Sequence, residues 1–140
     1  MIEEASDAFL DLPEVIIMPI GTLLFSLPVS AYGIIASFLL ISLREVDSQG
    51  MFVYSDELRG MILGNIFGWL WTVWFLASVQ FTSVSGAAAD WYFTPSDEHE
   101  HKHVQHMCLW RSISRTLRFH CGTMAVGSFI VAAVQMVSRP

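Results

Sequence analysis

The chain has 140 residues, of which 54% are hydrophobic and 14% are charged, and its mean hydropathy is +0.52. Soluble globular domains carry roughly 25% charged residues, so this composition indicates a membrane protein and disfavours a soluble bundle of buried helices. The net charge of −6 comes from acidic residues in short polar segments, which argues against a basic surface for nucleic acid.

Residues 1–14 are acidic and contain no Lys or Arg, so we expect a cytosolic amphipathic lead segment and no cleavable leader. Residues 15–43 follow as 29 residues without Asp, Glu, Lys, Arg or His. A helix needs about 20 such residues to cross the hydrocarbon core, so this segment is the first predicted transmembrane helix. Pro19 and Pro28 lie inside it and remove backbone hydrogen bonds. They predict a kink near Pro28 unless neighbouring helices satisfy the freed backbone groups.

Residues 44–60 form a predicted extracellular loop, and residues 61–93 form the second predicted transmembrane helix. The stretch 61–89 is another 29 residues without a charged side chain. Asn65 and Gln80 are polar amides within this helix, and such groups are costly at membrane depth unless they meet a partner. We therefore expect both amides to face protein or a wet cavity.

The tryptophans of the second helix allow two interpretations. Trp71 and Trp91 are roughly 30 Å apart along a helix, so they could mark the two membrane interfaces as an aromatic belt. Alternatively, Trp and Tyr faces attract a quaternary ammonium group, an interaction of about 2 kcal/mol or more when desolvated. Composition does not choose between these interpretations.

Small residues four positions apart predict close contacts between helices, because they let two backbones approach. Two such pairs lie in the second helix and one lies in the third. The pairs are Gly64 with Gly68, Thr82 with Gly86, and Thr123 with Gly127. The second helix is thus expected to be buried among more helices than three can readily supply.

Residues 94–117 form a predicted cytosolic loop rich in histidine, on the side favoured by its excess of Lys and Arg. His99, His103 and His106 would share one face of a helix and could then bind zinc or copper. Their mixture with acidic residues is more typical of a solvated connector, so we expect no metal and no cofactor.

Residues 118–138 form the third predicted transmembrane helix, which is short enough to be a re-entrant or interfacial helix instead. Asp90, Arg118 and His120 lie at the inner boundary. We expect either a salt link from Asp90 to one of the two cations or simple anchoring of the cations at the interface. No nucleophile with a base, phosphate loop or carboxylate pair is present, so we expect no enzyme activity.

Three strings carry a resemblance to a known family. They are G-W-L-W-T-V-W-F-L-A-S-V-Q from Gly68 to Gln80, S-G-A-A-A-D-W-Y-F from Ser85 to Phe93, and R-F-H-C-G-T-M-A-V-G-S-F-I from Arg118 to Ile130. The segment E-A-S-D-A-F-L-D-L-P at residues 4–13 adds to them. In order and spacing the chain resembles the middle of the choline transporter-like family of solute carriers.

The resemblance implies a multi-span carrier of the plasma membrane that moves choline, or related ethanolamine-type amines, by alternating access without ATP. It implies an all-α integral membrane fold in which these three transmembrane helices are part of a larger bundle, completed by further spans or by a homo-oligomer in the lipid bilayer. Candidate contacts for the cation are Trp71, Trp74, Trp91 and Tyr92, with Gln80 as a polar neighbour. The alternative is a non-transporting membrane subunit that packs against larger partners through its glycine faces.

Overall fold

The structure is a computed structural model that describes residues 14–46, 50, 52–95 and 108–138. In chain order its elements are helix α1 (Glu14–Ser42), strands β1 (Glu45–Val46) and β2 (Phe52–Val53), and helices α2 (Asp56–Tyr92), α3 (Cys108–Phe119) and α4 (Cys121–Ser138). Within these residues, the helices α1, α2 and α4 are long and apolar enough to cross a membrane. The predicted fold class, an all-α membrane protein with three transmembrane helices, is confirmed.

Helix α1 runs without interruption through Pro19 and Pro28. Large apolar side chains are exposed outside the face that contacts α2, among them Leu24 at 70% and Phe38 at 68%. A helix that is apolar all round is stable in lipid or among other apolar helices. Composition alone therefore places α1 in the membrane.

Two short strands lie between the first two helices. Strands β1 and β2 pair antiparallel, and Gly50 between them adopts a φ of 77°, where a residue with a side chain would be strained. Ser55 then caps α2, because its hydroxyl oxygen accepts the backbone N–H of Leu58 at 3.3 Å. Helix α2 begins with the acidic residues Asp56 and Glu57, whose charge suits a helix N-terminus.

Helices α1 and α2 are joined by a polar seam consisting of Ser30, Gly33, Ser37, Asn65 and Trp69. The Asn65 amide donates to the Gly33 carbonyl at 3.2 Å and to Ser37 Oγ at 2.9 Å. The Trp69 indole N–H donates to Ser30 Oγ at 3.5 Å, and its ring lies directly against Gly33. The expectation that Asn65 faces protein therefore agrees with its contacts, and Gly33 provides the space for the indole.

Replacing Asn65 by leucine is expected to weaken the α1–α2 contact, because it removes both amide hydrogen bonds at membrane depth. Measured interhelical hydrogen bonds in membrane proteins average about 0.6 kcal/mol and reach about 1.7, so a loss in that range is expected. Thermal unfolding in detergent measures it. Thr72→Val is the matched control, since Thr72 is exposed and donates to the Gly68 carbonyl of its own helix. Equal losses for both variants would contradict the interhelical role of Asn65.

The region after α2 differs from the sequence prediction. The loop predicted over residues 94–117 is helical from Cys108 onwards, and the helix predicted over residues 118–138 is interrupted at His120. The prediction was wrong here because it located helices by long runs without charge. Helix α3 is instead strongly amphipathic, with three arginines in twelve residues, so that criterion overlooks it.

A small core forms where three elements meet: the start of α1, the end of α2, and α3. Its buried members are Ala87, Trp91, Cys108 and Leu109, with Val15, Met18 and Ile113 packed against them. The α3 residues that enter it are one face of the amphipathic helix, since Cys108, Leu109, Ser112 and Thr116 are buried. This core fixes α3 beside the C-terminal end of α2.

Candidate functional site

An aromatic cluster consisting of Phe67, Trp71 and Phe129 links α2 to α4. The Phe129 ring lies 5.1 Å from Phe67 and 5.5 Å from Trp71 between centroids, in nearly perpendicular edge contacts of 80° and 87°. The Phe67 and Trp71 centroids are 6.4 Å apart. Such edge-to-face contacts are favoured by the ring quadrupoles, so the three rings hold each other in fixed orientations.

The indole N–H groups of two tryptophans are bonded to α4. Trp71 Nε1 donates to the Ala125 carbonyl at 3.0 Å, and Trp74 Nε1 donates to Gln135 Oε1 at 3.0 Å. These bonds occupy the polar edges of the indoles, while Trp71 remains 38% exposed. A fixed, partly open indole can present its electron-rich face to a cation.

The five predicted cation contacts do not form one site. Trp71 and Trp74 lie together, and Gln80 is half-buried further along α2. Trp91 is buried in the core beside α3, roughly 26 Å from Trp74 along the helix. Tyr92 is exposed at the end of α2 and makes an edge contact with Phe93 at 5.3 Å. A single ligand the size of choline cannot contact both ends.

The predicted small-residue pairs have different surroundings. A methyl group added at Gly64, Gly68 or Gly127 would meet nothing within 4 Å, and Thr123 is exposed. Thr82 is half-buried, whereas a methyl group at Gly86 would collide with Ser112 Oγ on α3. The close approach at Gly33 was not predicted, although Gly33 and Ser37 are small residues four positions apart and give the same packing signal as the predicted pairs.

The salt link at the end of α2 involves a different partner from the one expected. Asp90 Oδ2 lies 2.9 Å from Arg115 Nη2, and not against Arg118 or His120. Arg118 stands over the Phe119 ring at 5.6 Å, and His120 is the residue between α3 and α4. The predicted link from Asp90 to Arg118 or His120 was wrong, because α3 begins at Cys108 and its helical path carries Arg115 to Asp90.

Beside the apolar core, small polar groups also join α2 and α3. Ser112 Oγ donates to the Ser83 carbonyl at 2.8 Å, and the Cys108 thiol lies 3.9 Å from the Ala87 carbonyl. Burial raises the pKa of the Cys108 thiol, and the negative charge of Asp90 raises it further, so this cysteine stays neutral. Cys121 is exposed, and both cysteines are free thiols.

A cleft of about 520 Å³ lies between α1, α2 and α3. Its walls are almost wholly apolar, with Glu14 at one end. The lining residues from α1 include Ile17, Gly21 and Phe25, those from α3 are Leu109, Trp110 and Ile113, and α2 contributes Val79. The volume lies within the range of about 300–1,000 Å³ that is usual for ligand pockets.

The candidate metal ligands His99, His103 and His106 lie outside the described residues. Within the described ranges, no three His, Cys, Asp or Glu side chains are close enough to hold a metal ion. The described part of the chain therefore offers an aromatic cluster, an ion-paired helix junction and an apolar cleft as its chemical features.

The family described as plasma-membrane choline transporter matches residues 1–139. Choline transporter-like protein 2 of Dictyostelium discoideum is 28% identical over 142 residues, which cover 98% of this chain and 22% of the relative. Choline transporter-like protein 1 of Mus musculus is 28% identical over 136 residues, which cover 94% of this chain and 20% of the relative. Choline transporter-like 2 of Drosophila melanogaster is 31% identical over 81 residues, which cover 58% of this chain and 10% of the relative.

The chain spans about a fifth of the length of the first two of these relatives. No solved structure matches it. The family match extends over all three candidate transmembrane helices, over α3 and over the aromatic cluster. The resemblance seen in the sequence is confirmed, and the chain belongs to the plasma-membrane choline transporter family.

Proposed function

We propose that the chain takes part in moving choline, or a related amine, across the plasma membrane without changing it chemically. The observation that carries this proposal is the family match over residues 1–139. The three apolar helices support it, because a carrier must surround its substrate with membrane-spanning elements.

The aromatic cluster, together with Trp74 one turn further along α2, is the proposed contact for the ammonium group. A quaternary ammonium has no N–H to donate, so proteins recognise it through aromatic ring faces rather than through hydrogen-bond acceptors. Trp71 and Trp74 meet this requirement, since their N–H groups are bonded to α4 and their rings are held in place. Gln80 is the candidate partner for a substrate hydroxyl, because an amide both donates and accepts.

Uptake of radiolabelled choline into proteoliposomes that contain this chain tests the proposal. Trp71→Leu removes the ring and is expected to raise the half-saturating choline concentration about 2- to 30-fold, the range given by a cation–π contact of 0.5–2 kcal/mol. Trp71→Phe keeps an aromatic face, so its half-saturating choline concentration is expected to fall between those of the unchanged chain and of Trp71→Leu. Phe81→Leu is the control, since Phe81 is an aromatic residue of α2 that lies outside the cluster and is 71% exposed. Equal effects at Trp71 and Phe81 would refute the assignment.

A second candidate function is that of a non-transporting membrane subunit. It is favoured by the open small-residue positions on α2 and α4, where Gly64, Gly68 and Gly127 leave space for further helices. If proteoliposomes with this chain alone show no uptake, and a partner co-purifies from native membranes, the subunit function replaces transport by the chain itself. Saturable uptake by the chain alone excludes it.

A further inference from the structure

Helix α3 is attached to the end of α2 by the small apolar core and by a short set of polar contacts. Ser112 Oγ donates to the Ser83 carbonyl at 2.8 Å, and Arg115 Nη2 donates to Asp90 Oδ2 at 2.9 Å. The ion pair is partly open to solvent, because its two side chains are 46% and 37% exposed. An ion pair of this exposure stabilises the contact only weakly.

The docked position leaves one polar group unsatisfied. The Ser83 hydroxyl is completely buried at this contact and has no hydrogen-bond partner among the described residues. A buried hydroxyl without a partner opposes the arrangement that buries it. Docking of α3 therefore combines favourable contacts with one unfavourable buried group, and a cost of this kind favours local opening.

A break in the helical path lies at the other end of α3. His120 is the single residue between α3 and α4, and it is not helical. Its N–H donates to the Thr116 carbonyl at 2.9 Å, and its carbonyl accepts the Met124 N–H at 3.0 Å. The first bond belongs to the end of α3 and the second to the start of α4, so neither of them crosses the backbone angles of His120. A change of backbone angles at one such residue can swing a short helix as a rigid body.

We propose that α3 is a hinged cap on the end of α2, turning about His120 and held shut by the Asp90–Arg115 pair. Arg115 is then a positioning residue, which acts by placing α3. Opening would uncover Cys108 and the buried face of α3, and it would move the wall that Leu109 and Ile113 give to the apolar cleft. This inference goes beyond the proposed function, because it does not depend on which substrate is carried.

Alkylation of Cys108 by N-ethylmaleimide reports the open cap, because the thiol is buried when α3 is docked. The rate follows the open population when opening is fast relative to the reaction. A Cys121→Ser background removes the exposed thiol. In that background Arg115→Gln is expected to increase the alkylation rate about two- to fivefold, the effect of losing a partly exposed ion pair.

The direction of the change separates opening from simple electrostatics. Arg115 lowers the pKa of the Cys108 thiol, so removing its charge alone would give less thiolate and slower alkylation. Acceleration therefore reports undocking. Ser112→Ala provides a second variant, since it loses the bond to the Ser83 carbonyl without altering a charge, and it is also expected to react faster.

Two controls bracket the experiment. Asp56→Asn removes the ion pair between Asp56 and Arg59 at the opposite end of α2 and is expected to leave the rate unchanged. The exchange Asp90→Arg with Arg115→Asp restores an ion pair and is expected to return the rate towards that of the background. If Arg115→Gln and Ser112→Ala both react no faster than the background, or if Asp56→Asn accelerates equally, the cap is overturned. Circular dichroism identifies any variant that has lost its helices.

Discussion

Replacing Gly33 by alanine is expected to lower the midpoint of thermal unfolding, because the new methyl group has no space. An added Cβ at Gly33 would lie 2.8 Å from Trp69 Cγ and 3.2 Å from Trp69 Cβ. These atoms belong to the stem of the indole, which cannot move away without breaking the bond from its N–H to Ser30. Overpacking of this kind costs about 1–3 kcal/mol.

The matched control is Gly21→Ala in the same helix, where an added methyl group meets nothing within 4 Å. Both variants gain the higher helix propensity of alanine, up to about 1 kcal/mol, so their difference isolates the collision with Trp69. We expect the Gly33 variant to unfold about 3–10 °C below the Gly21 variant in detergent. Equal unfolding midpoints would show that α1 and α2 are not in contact at Gly33.

The seam around Gly33 shows what the sequence could predict about helix contacts. Asn65 was expected to face protein because an amide at membrane depth needs a partner, and its amide does bond to Gly33 and Ser37. The identity of those partners depends on how α1 and α2 are aligned along each other. A single sequence contains no direct record of that alignment, so the role of Gly33 emerged with the structure.

Helix α3 shows why charge-free length is an incomplete criterion. The three apolar helices were found because lipid requires long uncharged runs. The same criterion assigned residues 108–117 to a loop, although Leu109, Ser112 and Thr116 recur at helical spacing on the buried face of α3. A search for period 3.6 in that polar segment would have found the helix.

The candidate site was only partly predictable, because part of it depends on contacts between different helices. Trp71 and Trp74 are one turn apart, so their proximity follows from helix geometry alone. Phe129 completes the cluster from α4, and neither its distance in sequence nor its apolar surroundings single it out. Trp91 met the same compositional criterion as Trp71, yet it packs into the core beside α3.

Replacing Gly86 by alanine is expected to disturb the α2–α3 junction, in contrast to the same change at Gly64. The added methyl group at Gly86 overlaps with Ser112 Oγ, whereas at Gly64 it meets nothing within 4 Å. Both positions lie in α2 and both were predicted as helix contacts, so the comparison separates an occupied position from an open one. We expect Gly86→Ala to cost about 1–3 kcal/mol and Gly64→Ala to cost nothing.

A double variant identifies the atom responsible for the cost. Once Ser112 is alanine, the nearest atoms to the Gly86 methyl group are Ser112 Cβ and Arg115 Nη2, both at the ordinary contact distance of 3.6 Å. Ser112→Ala alone loses the bond to the Ser83 carbonyl, a cost of about 0.5–1.5 kcal/mol. The double variant should therefore be more stable than the sum of the two single costs predicts, by about the overpacking cost of Gly86→Ala.

Unfolding midpoints of the four proteins of this cycle give the coupling energy, and alkylation of Cys108 shows whether the loss is local to α3. Strict additivity would mean that Gly86 and Ser112 do not touch, and the docking of α3 described above would then be incorrect. A positive coupling with faster alkylation in Gly86→Ala alone would show that the position of α3 is set by the small residues of α2. The ion pair between Asp90 and Arg115 would then hold shut a contact whose geometry Gly86 makes possible.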